Sequence, residues 1–416
     1  MLSKNLISTV TRLPARDYWI GILGSSANDY GDSIAVDSSG NVYVCGYSYA
    51  SGSSDFQIAK YNTSGVIQWQ RRLGGSSNDI GMSIAVDSSG NVYVCGYSNP
   101  GGTNDFQIAK YNTSGVIQWQ RRLGGSSNDI GLSIAVDSSG NVYVCGYSNA
   151  SGTNDFLIAK YNTSGVIQWQ RRLGSSSNEY GRSIAVDSSG NVYVCGYGGS
   201  DDFLIAKCNT SGVIQWQRRL GSSNDYGYSI AVDSSGNVYV CGYSNASGTD
   251  DFQIAKYDTS GVIQWQRRLG SSSSDFGYSI AVDSSGNVYV CGHSNASSTD
   301  DFLIAKYNTS GVIQWQRRLG SNKTDIGMSI AVDSSGNVYV CGYSNPGSTI
   351  DFLIAKLPGD GSLTGTYTVG GYSFTYAASS LTDAASSLTD AASSLTDEAS
   401  SLTDEASTLT STVTKI

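Results

Sequence analysis

The chain contains one histidine, His293, at a repeat position where most other copies carry tyrosine, as at Tyr47 and Tyr97. A lone imidazole without a matched nucleophile and acid cannot form a Ser–His–Asp relay, which is recognised by three groups in mutual reach. There is no HExxH, no CxxC, no Walker loop and no GxGxxG opening a helix. A propeller-type glycan lyase or hydrolase would need acids and a base unique to one repeat, and only His293 and Arg182 stand out that way. The expectation is a non-enzymatic chain with no catalytic residues, no cofactor and no metal.

Other groups with chemical potential also read as structural. Seven of the eight cysteines (Cys45, Cys95, Cys145, Cys195, Cys241, Cys291, Cys341) share one repeat position, and Cys208 replaces a tyrosine. Equivalent positions in neighbouring repeats of a ring lie too far apart for disulfide geometry, so buried free thiols are expected. The DSSGN segments carry one carboxylate each, too few for a calcium loop. The acid pairs Asp201–Asp202, Asp250–Asp251 and Asp300–Asp301 read as solvated loop acids, with a bound cation as the lesser alternative.

One position differs from repeat to repeat: Asp32, Met82, Leu132, Arg182, Tyr228, Tyr278 and Met328, each just before the phrase SI. The residue two before it is aromatic or Ile (Tyr30, Ile80, Ile130, Tyr180, Tyr226, Phe276, Ile326). Aromatic and apolar residues gathered at one place suit contact with a partner.

The elements that carry these residues follow from the period. The phrase SIAVD begins at Ser33, Ser83, Ser133, Ser183, Ser229, Ser279 and Ser329. A period of this size signals a propeller or solenoid. Each unit reads as four strands: A (SIAVD), B (NVYVCGYS), C (DFLIAKY or DFQIAKY) and D (VIQWQRRLG), rich in β-branched and aromatic residues. The turns DSSG and NTSG connect A to B and C to D.

The last unit lacks its Trp-bearing D strand, whereas Trp19–Gly24 matches the spacing of Trp69–Gly74. An N-terminal strand that completes the seventh blade would close the ring and remove two sheet edges. In this ring strand A is innermost, the D–A and B–C loops share one face, and the seven variable residues encircle one mouth of the axial channel.

The predicted organisation is a polar arm (1–16), a seven-bladed all-β propeller (17–357), a linker or short hairpin (358–376) and a tail (377–416). In the tail Leu381, Leu388, Leu395, Leu402 and Leu409 recur every seven residues, with Ala at 378, 385, 392, 399 and 406. This spacing predicts an α-helical coiled coil with Ala at a and Leu at d, a homo-oligomerisation stalk for which a trimer is favoured.

The DSSGNVYV and DFLIAKYNTSG–IQW phrases, repeated over roughly 17–357, resemble the bacterial SBBP β-propeller repeats. The resemblance implies a seven-bladed propeller and transfers no catalytic residues. A net charge of −9 gives no electrostatic footprint for nucleic acid. No stretch approaches the length of a membrane helix, and the N-terminus lacks a signal-peptide core, so neither membrane insertion nor classical secretion is expected. Head plus stalk suggests a structural or adhesive virion component such as a phage fibre. Its expected partners are other proteins of the assembly and a surface glycan or protein receptor. A cell-associated scaffold, in the bacterial cytoplasm or at the cell surface, is the alternative.

Overall fold

The computed structural model describes residues 6–14, 17–50, 52–199, 202–221, 224–296 and 299–386. In the tail it describes 390–392, 396–399, 403–406 and 410–413. Seven antiparallel sheets are arranged around an axis as blades. Blade one is built from Asp29–Val36, Val42–Ser48, Asp55–Tyr61 and Ile67–Gly74, and the pattern repeats through blade six. Among the described residues there is no helix.

Strand alternation determines how blades stack. Ile34, Val36, Val42 and Val44 of blade one pack against Tyr339, Cys341 and Phe352 of blade seven. Ala35, Tyr43, Cys45 and Phe56 pack on the opposite side, against blade two. Successive side chains of a strand point to opposite faces, so each blade offers one surface to each neighbour. All eight cysteines are free and buried in these layers, as expected.

The A–B turns are braced from within. Asp37 Oδ1 accepts the amides of Ser39 and Asn41, while Oδ2 accepts Asn41 Nδ2 and the Tyr43 hydroxyl. Burial raises this carboxyl's pKa, but the bonds from Asn41, Tyr43 and Ser39 outweigh it and hold it below the usual range. The same clip recurs in every blade.

Closure is circular. Trp19–Gly24 pairs antiparallel with Asp351–Leu357, placing Trp19 opposite Lys356 and Leu23 opposite Phe352. Two hydrogen-bond series run round the ring. In one, the amide of Ile84 donates to Ser33 Oγ at 3.2 Å, and so on to Ile34 donating to Ser329 Oγ at 3.3 Å. In the other, Trp69 Nε1 donates to Thr113 O of the next blade, and Trp19 Nε1 donates likewise to Thr63 O. The tryptophans are packing anchors.

Two expectations are corrected. Residues Ile7–Arg12 are a strand paired outside Trp19–Gly24, so the arm is part of blade seven. The tail is extended where it is described, in place of the coiled coil. Thr382–Ala385, Asp390–Ala392, Thr396–Ala399, Thr403–Ala406 and Thr410–Val413 pair with the outer strands of blades five, four, three, two and one.

Gly365–Val369 and Tyr372–Ala378 form a hairpin on the edge of blade six. Gly370 and Gly371 turn it with φ of 60° and 88°, the left-handed values of a tight hairpin loop. Every blade thus has a fifth strand, and successive described strands of the heptad tail pair with successive blades. Ser, Thr and Asp are weak helix formers, and an unpaired outer edge offers each extended segment its backbone partners. Leu381, expected on an oligomer seam, is buried with Phe252, Leu303 and Tyr307 between blades five and six. Leu388, Leu395, Leu402 and Leu409 lie outside the described residues.

Candidate functional site at the channel mouth

The D–A and B–C loops share one face, as expected: the Asp79 amide donates to Ser54 O, and the Ser54 amide to Asn78 Oδ1. At the ring's seam the Asp29 amide donates to Ile350 O. Channel-lining residues near this face are carried by strands A and B.

The seven variable residues occupy the fourth position of an eight-residue strand, at a register shift such as that between Gly31 and Ser33. A bulge inserts one unpaired residue and re-aims its side chain. These residues, expected to ring one mouth of the axial channel, lie midway along the first strand of each blade, where each is half-buried.

The structure brings Arg182, Tyr228 and Tyr278 together. The Arg182 guanidinium lies over the rings of Tyr197 and Tyr228, at 5.2 and 4.8 Å, and donates to the Tyr197 hydroxyl at 2.8 Å. Ring centres of Tyr228 and Tyr278 are 5.1 Å apart. Tyr278 and Phe276 then flank His293 at 5.3 and 4.9 Å. Burial, against the opposing pull of Asp300, lowers His293 to about 4, so its imidazole is neutral at pH 7.

Tyr147 and Tyr180 extend the same arc towards blade three. A second aromatic group joins Tyr343, Tyr30, Tyr47 and Tyr49 across the seam of blades seven and one. Asp32, beside it, has a buried oxygen without a hydrogen-bond partner, and burial pushes its carboxyl well up. Met82, Leu132 and Met328 make the remaining wall aliphatic and enter none of these aromatic contacts.

The arrangement is a stacking surface with a fixed cation on one side and a buried carboxyl on another. Such a wall can bind apolar and aromatic groups by contact and order them by charge. The strand-B tyrosines, Tyr147, Tyr197, Tyr243 and Tyr343, supply half of it. Sequence comparison between repeats passes over them because they hardly vary; their place opposite strand A in the GY step is the signal that could have found them.

The second acid of each pair is not a solvated loop acid. Asp251 and Asp301 are buried and ion-paired with Arg268 and Arg318, and Asp202 with Arg219. Asp250 and Asp300 accept from Asn245 and Asn295. Asp201 lies outside the described residues. Among the described residues no group of three or more His, Cys, Asp or Glu is placed to hold a metal ion.

Known proteins sharpen this picture. Two crystal structures of Sqt1 from Chaetomium thermophilum are similar at 12% identity. One covers 76% of this chain and 80% of its own, with a TM-score of 0.48. The other covers 80% and 96%, with a TM-score of 0.43. Similarity at this level carries no functional inference. No curated protein matches the chain. A beta-propeller domain of unknown function, DUF5122, matches residues 38–67 and 138–167. The SBBP beta-propeller repeat matches residues 18–52, 68–101, 118–152, 168–203, 215–248, 264–298 and 314–346, one stretch for each tryptophan-to-strand-B unit and more than half of the sequence in total. With seven such repeats closed into seven blades, the chain belongs to the SBBP beta-propeller repeat family.

Proposed function

We propose that this chain is a non-enzymatic interaction module that receives an apolar or aromatic group of a protein partner in the channel mouth. The carrying observation is the asymmetry of that mouth. Blades that agree almost residue for residue elsewhere differ at the bulge, and the differences gather Arg182, Tyr228, Tyr278 and His293 into one continuous surface. A chain needing only a stable ring gains nothing from the differences. The neutral, stacked His293 and the tyrosine-bound Arg182 favour binding over acid–base chemistry.

Peptide and glycan arrays probed with the intact chain test the proposal. Peptide capture that the double variant Tyr228→Ala/Tyr278→Ala abolishes, while Val166→Ser on the opposite face leaves it intact, is the expected result. Capture unaffected by the double variant overturns it, and capture of glycans alone replaces the protein partner with a sugar. In this reading the head is displayed without a stalk, and the described tail segments lie on the outer edges of the blades. Placement in a virion therefore forms part of the proposal only through the repetitive architecture. Immunoblots of purified particles against host fractions decide that placement.

A further inference from the structure

Strand C of every blade begins with an aspartate, and in six blades an arginine of strand D neutralises it. The pairs are Arg72–Asp55, Arg122–Asp105, Arg172–Asp155, Arg219–Asp202, Arg268–Asp251 and Arg318–Asp301, with N–O distances of 3.0 to 3.4 Å. The aspartate carboxylates are buried. Blade seven differs because the N-terminal segment WIGILG supplies its D strand. Ile22 sits opposite Leu353 just as Arg72 sits opposite Gln57, so an isoleucine occupies the arginine position.

Among the described residues Asp351, the seventh aspartate, consequently has no cationic partner. Its Oδ1 is buried close against Gly24, as Oδ1 of Asp55, Asp105, Asp155, Asp251 and Asp301 lies against the glycine of its own blade; what differs is the missing arginine on Oδ2. The carboxyl lines a groove of about 510 Å³ whose other walls include Ile7, Thr9, Ile22 and Tyr372. These walls come from the N-terminal strand and from the hairpin on the edge of blade six; Thr11 Oγ1 ties the two together by donating to Thr368 O at 2.6 Å. Ile7 and Tyr372 are 71% and 37% exposed, among the few large apolar side chains the fold leaves uncovered.

We propose that this groove binds a guanidinium group, the arginine side chain of a peptide or a small arginine derivative, with Asp351 making the contact its six counterparts make internally. Six ion pairs in the same molecule show which partner this carboxylate position accepts. Arginine's planar fork suits a carboxylate, and its methylene stem suits the apolar walls formed by Ile7 and Ile22. The Tyr372 ring offers a face for the cation. Burial first, then the Asp29 carboxylate, raises Asp351 to about 7, as befits an acid held without its counter-charge.

Calorimetric titration of the full chain with L-argininamide tests the site, with L-citrullinamide as the uncharged isostere that keeps the α-amine. Saturable one-site binding of argininamide and none of citrullinamide is expected. Asp351→Asn should weaken binding at least about tenfold, the scale of one charge-assisted contact. Ile22→Arg should abolish it by filling the slot from within, while Ile22→Val and the mouth variant Tyr228→Ala/Tyr278→Ala retain it. Circular dichroism shows whether each variant is folded. Absence of saturable binding to the wild type at millimolar ligand, or equal affinity for folded Asp351→Asn, overturns the site.

Discussion

Blades one to six take all four of their inner strands from one continuous stretch, whereas blade seven borrows its fourth from the other end of the chain. The borrowed strand keeps what holds the ring and drops what tunes it. Trp19 donates to the next blade as its six counterparts do, and Leu23 fills the same buried slot as Leu73. The two arginines are gone: Gly21 and Ile22 stand at the positions of Arg71 and Arg72. Arg71 donates to Gly115 O and Arg317 to Gly361 O, each a strap onto the neighbouring turn that blade seven lacks. The backbone ladder, apolar burial and the seam bonds of Trp19, Ile34 and Asp29 therefore close the wheel without the charged pairs.

The largest effect separating the two kinds of blade is expected from deleting residues 1–24. Blade seven then has three strands and an open edge, and the cooperative thermal transition should be lost, with aggregation on heating. Deleting residues 387–416 removes only outer strands from four blades; the transition should survive with a lowered midpoint. Equal damage from both deletions would remove the distinction between closure and belt.

Next in size is Trp19→Ala. Trp19 is 1% exposed, whereas Trp169 is half-buried, so denaturant melts should show a loss of about 3–5 kcal/mol for the first and clearly less for the second. Smaller still, Arg72→Ile gives blade one the character of blade seven and removes the ion pair of Asp55. A cost of about 1–3 kcal/mol is expected, discounted because the arginine is about one-third exposed.

The mirror experiment is Asp351→Asn. A carboxyl raised to about 7 in the fold, against about 3.9 unfolded, favours its protonated form. Its ionisation costs stability progressively from pH 4 upward, and the full cost is reached above pH 7. Asparagine removes that cost, so the variant should melt higher than wild type at pH 8, by about 1–2 kcal/mol after solvent screening, and match it near pH 4. A pH-independent difference would mean that the charge is not the cause.

Much of this architecture is readable in the residues. The strands, the turns, the free cysteines and the completion of blade seven by Trp19 all follow from a pattern printed seven times. In the tail, a 3–4 spacing of small and large apolar residues fits both a helix face and a series of short strands. The richness in Ser, Thr and Asp pointed to the strand. The buried aspartates looked like loop acids because each partner arginine lies seventeen residues downstream, past strand C and a turn. At the mouth, the bulge that turns Arg182 and Tyr228 towards each other has no local signature; it arises from pairing with strand B.

The bond from Ile34 to the Ser329 hydroxyl joins residues 295 positions apart that sit one blade from each other. The six like it each bridge about fifty positions or fewer. The inner ring is therefore expected to assemble in a fast local phase, in which a row of blades grows, and one slow search in which the row's ends meet. Refolding speed should answer to changes around Trp19 and Phe352 and hardly at all to changes in blades three and four, so the molecule carries its rate-setting step at its seam.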